Sequence, residues 1–158
     1  MRIAVIGAGG VGAPFGAALA MAGGDVTFVA RGAHLAAMRT RGLTVLSPRG
    51  DVHLRSVQAT EEPASIGPVD VVLFCVKLWD VESAGAAIRP LVGSDTAVIP
   101  LQNGIDASER LIPILGKDAV MGGVAQISAT VAEPGVIQQT GTFMRLVFGE
   151  LDGRPSPR

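Results

Sequence analysis

The sequence predicts an α/β fold, a doubly wound and mainly parallel sheet with helices packed on its faces. Three observations carry this expectation. Segments of strand character and of helical period alternate from residue 2 to about 115. The run Val69–Val76 is almost unbroken in its apolarity, which suits a parallel strand buried on both faces. A glycine-rich stretch, Gly7–Gly12, joins the first apolar run to the first helical one. Length and composition agree: 158 residues make one ordinary domain, and 48% hydrophobic against 17% charged residues can fill a sizeable core.

Each element has a local reason. Arg2–Ile6 is a short β-type run that breaks at Gly7. Val11, Phe15, Ala18, Leu19 and Ala22 then recur on one helical face, with Pro14 in the first turn, where a missing N–H costs little. Gly23-Gly24 ends that helix, and Val26–Ala30 reads as the second strand. Ala33–Thr40 is a weaker helix with Leu35 and Met38 inward and Gly42 as its stop. Leu43–Leu46 and Val52–Val57 read as a pair of exposed strands around the turn Ser47-Pro48-Arg49-Gly50. Beyond Val69–Val76, a helix is marked by Val81, Ala84, Ile88, Leu91 and Val92. Ala97–Leu101 is a strand, and Asp106–Ile112 a helix ended by Pro113. Ala119–Ser128, Val136–Gln139 and Phe143–Phe148 are further strands. The domain thus runs over residues 1–150, and residues 151–158, with Gly153, Pro155 and Pro157, have the composition of a linker.

Several functions are disfavoured at once. Thirteen basic against fourteen acidic residues give a net charge of −1, and with 4% aromatics there is little to stack bases on, so no nucleic acid is expected. Cys75 is the single cysteine, and with only His34 and His53 beside it no metal site is expected. Both histidines lack a metal or triad partner at useful spacing, and Cys75 reads as a small buried hydrophobe. Ile3–Gly24 is uncharged, as in a signal peptide or membrane span. Eight of its 22 residues are Gly or Pro, however, concentrated where a signal should be most apolar. The expectation is a cytoplasmic protein without a membrane segment.

Gly7-Ala8-Gly9-Gly10-Val11-Gly12 fits G-x-G-x-x-G. With 21 glycines in the chain the bare pattern is weak, and its position between a strand and a helix gives it force. In the Rossmann arrangement Gly7 permits the sharp turn, Gly9 lets backbone approach a pyrophosphate, and Gly12 lets the helix lie on the strand. At the end of the second strand an acidic residue would favour NAD. Arg31 stands there instead, suited to the 2′-phosphate of NADP. Lys77 follows Val69–Val76, and Gln102-Asn103-Gly104 follows Ala97–Leu101, so both fall at strand carboxyl ends, where open α/β sheets bind ligands. Lys77 would neutralise a cofactor phosphate or an acidic substrate, and Asn103 would hydrogen-bond the nicotinamide ribose or a substrate oxygen.

Taken together, Gly7–Gly12, Val29-Ala30-Arg31-Gly32, Cys75-Val76-Lys77, Leu101-Gln102-Asn103-Gly104 and Gly122–Gly141 come in the order seen in ketopantoate reductases. The chain resembles the N-terminal half of that family, 2-dehydropantoate 2-reductases, from residue 1 to about 150. The resemblance implies an NADPH-dependent oxidoreductase that reduces a 2-oxo acid, 2-dehydropantoate to pantoate in pantothenate biosynthesis. It makes Gly7, Ala8, Gly9, Gly10, Val11 and Gly12 the phosphate loop, Arg31 the 2′-phosphate contact and Lys77 a cofactor contact. Asn103 touches both NADP and substrate, Lys77 and Asn103 support catalysis, and Ala129 corresponds to a backbone contact near the nicotinamide. Many members carry Gln three residues beyond the lysine, whereas this chain has Asp80. The family's proton-donating lysine and assisting glutamate belong to a helical C-terminal domain absent from this chain, so the chain alone is expected to be inactive. Apolar surface left at that domain interface would favour a homodimer. The alternative is a free-standing NADP-binding or regulatory module without catalysis.

Overall fold

The computed structural model describes residues 1–156. In chain order its elements are β1 (Arg2–Ile6), α1 (Gly12–Met21), β2 (Asp25–Val29), α2 (Gly32–Arg41), β3 (Leu43–Leu46), β4 (Val52–Leu54), β5 (Gln58–Thr60), β6 (Val69–Phe74), α3 (Val81–Ala87), β7 (Val92–Pro100), α4 (Ala107–Leu115), β8 (Gly122–Glu133) and β9 (Val136–Gly149). Five strands form a parallel sheet in the order β5-β2-β1-β6-β7, with Ile3 opposite both Val26 and Val71. This is the expected α/β sheet with β1 at its centre. A second sheet, β4-β3-β9-β8, is built from the antiparallel β8–β9 and β3–β4 hairpins, joined by a parallel β3–β9 pairing.

Alternation along β1 assigns the layers. Ile3 and Val5 face a core shared with Phe15 of α1, Met38 of α2, and Leu43, Val45 and Ile137 of the second sheet. Ala4 and Ile6 face the opposite core, with Val81 and Ile88 around α3 and Leu111 of α4. The second sheet therefore lies over α1. That explains why Gly12–Ala17 are all buried, while Ala18 and Ala22, expected on an inward face, are exposed. The helix start is enclosed on every side, so a one-sided apolar stripe never develops there.

Other expectations need correction. Leu43 and Val45 are buried rather than exposed, because β3 is central in the second sheet. Val52–Val57 does not form one strand: β4 ends at Leu54, and β5 pairs with β2 in the parallel sheet. The third helix stops at Ala87, passes through a 3₁₀ turn containing Pro90, and Val92 already belongs to β7. Pro113 lies inside α4, which continues to Leu115. The carbonyl it leaves without a helical partner belongs to Glu109, and both residues are exposed, so water can satisfy it. Val136–Gln139 and Phe143–Phe148 merge into the single strand β9. Of the tail, residues 157–158 lie outside the described residues.

The N-terminal stretch that imitates a signal peptide is β1, loop and α1, and no helix among the described residues is long and apolar enough to cross a membrane. Arg2 clips the start of the sheet, donating from its guanidinium to the carbonyls of Pro68 at 2.6 Å and Ile66 at 2.7 Å.

An ion pair joins α3 to α4. The Arg110 guanidinium donates to both carboxylate oxygens of Glu82, each at 2.7 Å. These bonds hold the Glu82 carboxyl at about 2, below its usual 4.5. A depressed folded-state value means that the pair stabilises the fold above the unfolded carboxyl's range and that this is lost as pH falls through about 2. Because the pair is exposed, the effect is small. Glu82→Gln is expected to melt slightly below wild type at neutral pH, with the gap closing as pH falls from 4.5 to about 2. A gap of the same size at both ends of that range would assign the loss to packing instead.

Candidate functional site

Because the five strands are parallel, their carboxyl ends share one edge, and the loops leaving them lie side by side. The sheet's hydrogen bonding continues into those loops: Gly7 N–H donates to Val29 O at 3.1 Å, and Cys75 N–H to Ile6 O at 2.8 Å. Ala30 N–H donates to Thr60 O at 3.0 Å, and Leu101 N–H to Phe74 O at 2.9 Å. The glycine loop, Arg31, Lys77 and Asn103 therefore occupy neighbouring positions along one edge. A cleft of about 460 Å³ opens there, lined among others by Gly7, Ala8, Gly9, Arg31, His34 and Glu61.

The loop glycines differ in what surrounds them. Gly7 has φ 96°, and a Cβ on it would stand 3.0 Å from the Cys75 carbonyl group. Gly12 is packed so closely that a Cβ would collide with the Gly7 carbonyl oxygen and the Val5 side chain. Gly10 presses against the Ala129 carbonyl of β8, leaving no room for a side chain. Gly9 alone of the four has nothing within 4 Å of where a Cβ would project. No side chain caps α1, whose first turn carries no acidic residue. The result is an open backbone surface beside an uncapped helix start, the kind of place where an anion is held.

Arg31 lies just beyond β2, after Ala30, and forms the N-cap position of α2 in extended conformation. It is exposed, and among the described residues its guanidinium makes no hydrogen bond or ion pair. Lys77 is exposed in the loop after β6, which ends at Phe74 rather than Val76, and accepts through its backbone oxygen from Asp80 N–H at 2.9 Å. Asn103 is exposed beside Gly104, whose φ is 109°. Lys77 and Asn103 lie outside the cleft wall itself, and Ala129 meets the loop through Gly10.

Three residues gain a place that spacing did not reveal. His34, set aside on sequence grounds for want of a partner, is hydrogen-bonded at both ring nitrogens, to Ala8 O and Gly135 N–H. Gln102 donates from Nε2 to the carbonyls of Phe74 at 2.8 Å and Val76 at 3.0 Å, bracing the end of β6. Its Oε1 is buried and meets no donor among the described residues. Glu61 follows β5, a strand too polar to be foreseen, and brings a carboxylate into the same cleft as Arg31. The partners of His34 are 26 and 101 residues away, beyond the reach of local pattern. Cys75 packs beneath Gly12, and burial pushes its thiol up to about 12, so it stays protonated. No group of three potential metal ligands occurs among the described residues.

Comparison with known proteins agrees with this geometry. Residues 3–153 match the family model described as Ketopantoate reductase PanE/ApbA. The chain is 35% identical over 156 residues to 2-dehydropantoate 2-reductase of Archaeoglobus fulgidus, covering 98% of this chain and 49% of that protein. It is 31% identical over 160 residues to the uncharacterized oxidoreductase YkpB of Bacillus subtilis, covering 100% of this chain and 52% of that one. The crystal structure of 2-dehydropantoate 2-reductase from Geobacter metallireducens superposes with a TM-score of 0.92 at 36% identity, covering 99% of this chain and 51% of that chain. The chain thus spans about half the length of the relatives it matches. A glycine-rich β1–α1 loop at the centre of a parallel sheet, matched over nearly the whole chain, makes it a member of the ketopantoate reductase family.

Proposed function

We propose that the chain is the cofactor-binding portion of an NADPH-dependent reductase of 2-oxo acids, with 2-dehydropantoate, reduced to pantoate, as its substrate. The observation that supports it best is the opening at Gly9, a partly exposed stretch of backbone beside an uncapped helix start and within a cleft large enough for a nucleotide. In this reading the N–H groups of Gly9–Gly12 face the pyrophosphate, and Arg31 takes the 2′-phosphate. Lys77 neutralises a phosphate or the substrate carboxylate. Asn103 hydrogen-bonds the nicotinamide ribose or the substrate oxygen, and Ala129 backs the loop by its backbone. Gln102 holds the β6 end that carries Lys77, and its spare acceptor suits a hydroxyl donor. NADPH, when bound, supplies hydride for the carbonyl carbon.

Cofactor choice turns on Arg31. Arg31→Ala is expected to lose about 1.5–3 kcal/mol of NADPH binding, roughly ten- to a hundredfold in Kd, with NADH little changed. Fluorescence titration of both cofactors against both proteins measures it. Glu61 shares the cleft, and a carboxylate is the group that accepts from an unphosphorylated ribose. Tighter NADH than NADPH binding by the wild-type chain would transfer the choice to NAD, and equal losses on removing Arg31 would leave that residue with no selective role.

A further inference from the structure

His34 connects two segments of the site. It lies in the first turn of α2, partly buried, with Nε2 2.8 Å from the carbonyl oxygen of Ala8. On its other side the backbone N–H of Gly135 donates to Nδ1 at 3.0 Å. A backbone N–H can only donate, so Nδ1 holds the lone pair. A carbonyl can only accept, so Nε2 carries the proton. The two partners together define a neutral imidazole in the Nε2–H tautomer.

One end of this strut is fixed. Gly135 forms the β8–β9 turn at φ 84°, and its carbonyl accepts from Thr44 N–H at 2.9 Å. The neighbouring Pro134 carbonyl accepts from Arg41 at 2.9 Å, which ties the turn to the far end of α2. The other end reaches the second residue of the glycine loop. All described peptide bonds are trans, so the Gly9 N–H points opposite to the Ala8 carbonyl that His34 holds. Among the described residues the Gly9 N–H has no acceptor. It also belongs to the residue whose Cβ position is open to the cleft.

We propose that His34 is a positioning residue for the phosphate-binding loop. By holding the Ala8 carbonyl against the anchored β8–β9 turn, it sets the Ala8–Gly9 peptide plane and aims the Gly9 N–H at a dinucleotide phosphate. The role rests on the cofactor reading above and adds a residue to it. An N–H aimed in advance loses no freedom when the ligand arrives, which is where such a strut gains affinity.

The two hydrogen bonds can be separated. Glutamine places an amide N–H near the Nε2 position and can keep the Ala8 bond. Asparagine places an oxygen near Nδ1 and can keep the Gly135 bond while releasing Ala8. His34→Asn is expected to weaken NADPH about three- to tenfold, the effect of one hydrogen bond. His34→Gln is expected to stay within about twofold of wild type, although each variant lowers Tm by losing one bond. A purely structural histidine would move affinity and Tm together. Equal affinities in the two variants, or the larger loss in His34→Gln, would overturn the positioning role. A second readout needs no variant: ¹⁵N NMR of the wild-type chain should show Nε2 protonated and Nδ1 free, and the reverse tautomer would also overturn it. Wild-type protein that binds no NADPH would instead overturn the cofactor reading, and this role with it.

Discussion

Gly9→Val is expected to leave the chain folded and to reduce NADPH affinity by a hundredfold or more, whereas Gly10→Val is expected to damage the fold itself. The difference lies in where each missing Cβ would point. At Gly9 no protein atom stands within 4 Å, so valine's methyl groups enter the cleft rather than the core. The backbone there also lies outside the left-handed region, so an L-residue is unstrained. A phosphate kept away from the loop loses at least two charge-assisted hydrogen bonds, each worth about 1.5–3 kcal/mol. At Gly10 the Cβ would overlap the Ala129 carbonyl, so loop or β8–β9 hairpin must move, at a typical cost of about 1–3 kcal/mol or more. Circular dichroism and thermal melts beside an NADPH titration separate the two outcomes. A folded Gly9→Val chain with wild-type affinity would remove the phosphate loop from the site.

That contrast also marks how far the sequence could be read. The turn at Gly7 and the packing at Gly12 follow from the motif, because both depend on the strand and helix that flank it. Gly10 occupies a variable position of the pattern, and its need for glycine comes from Ala129 on a distant strand. The parallel sheet was legible where each strand is a local apolar run, as in β1, β2 and β6. β5 was not, since an edge strand reading Gln-Ala-Thr carries no apolar alternation and exists through its pairing with β2. The second sheet was visible only as separate strands. Its parallel β3–β9 pairing joins residues some ninety positions apart, Thr44 with Val136, and periodicity says nothing about such partners. Arg31, Lys77 and Asn103 could be placed because parallel topology alone puts strand ends on one edge. His34 and Glu61 could not, because the β8–β9 turn and β5 bring them their surroundings.

The 158-residue chain, assayed alone, is expected to bind NADPH yet to reduce 2-dehydropantoate only at background rate. Reduction of a carbonyl puts negative charge on its oxygen, and a positioned acid typically contributes about 10²–10⁴-fold by supplying the proton. Lys77 is at the right edge, but the proposed cofactor contacts already engage it. Lys117 is the other lysine, and it shares a surface recess with Ser94 and Asp95 near the start of β7, at the opposite edge of the sheet. The relatives are about twice as long, and whatever their other half contributes is missing from this assay. With the cleft open to water, substrate orientation is lost as well, a loss that multiplies the first. NADPH absorbance followed with excess 2-dehydropantoate tests the expectation directly. Turnover at an ordinary enzymatic rate, kept through purification and abolished by Lys77→Ala, would place the acid within this chain.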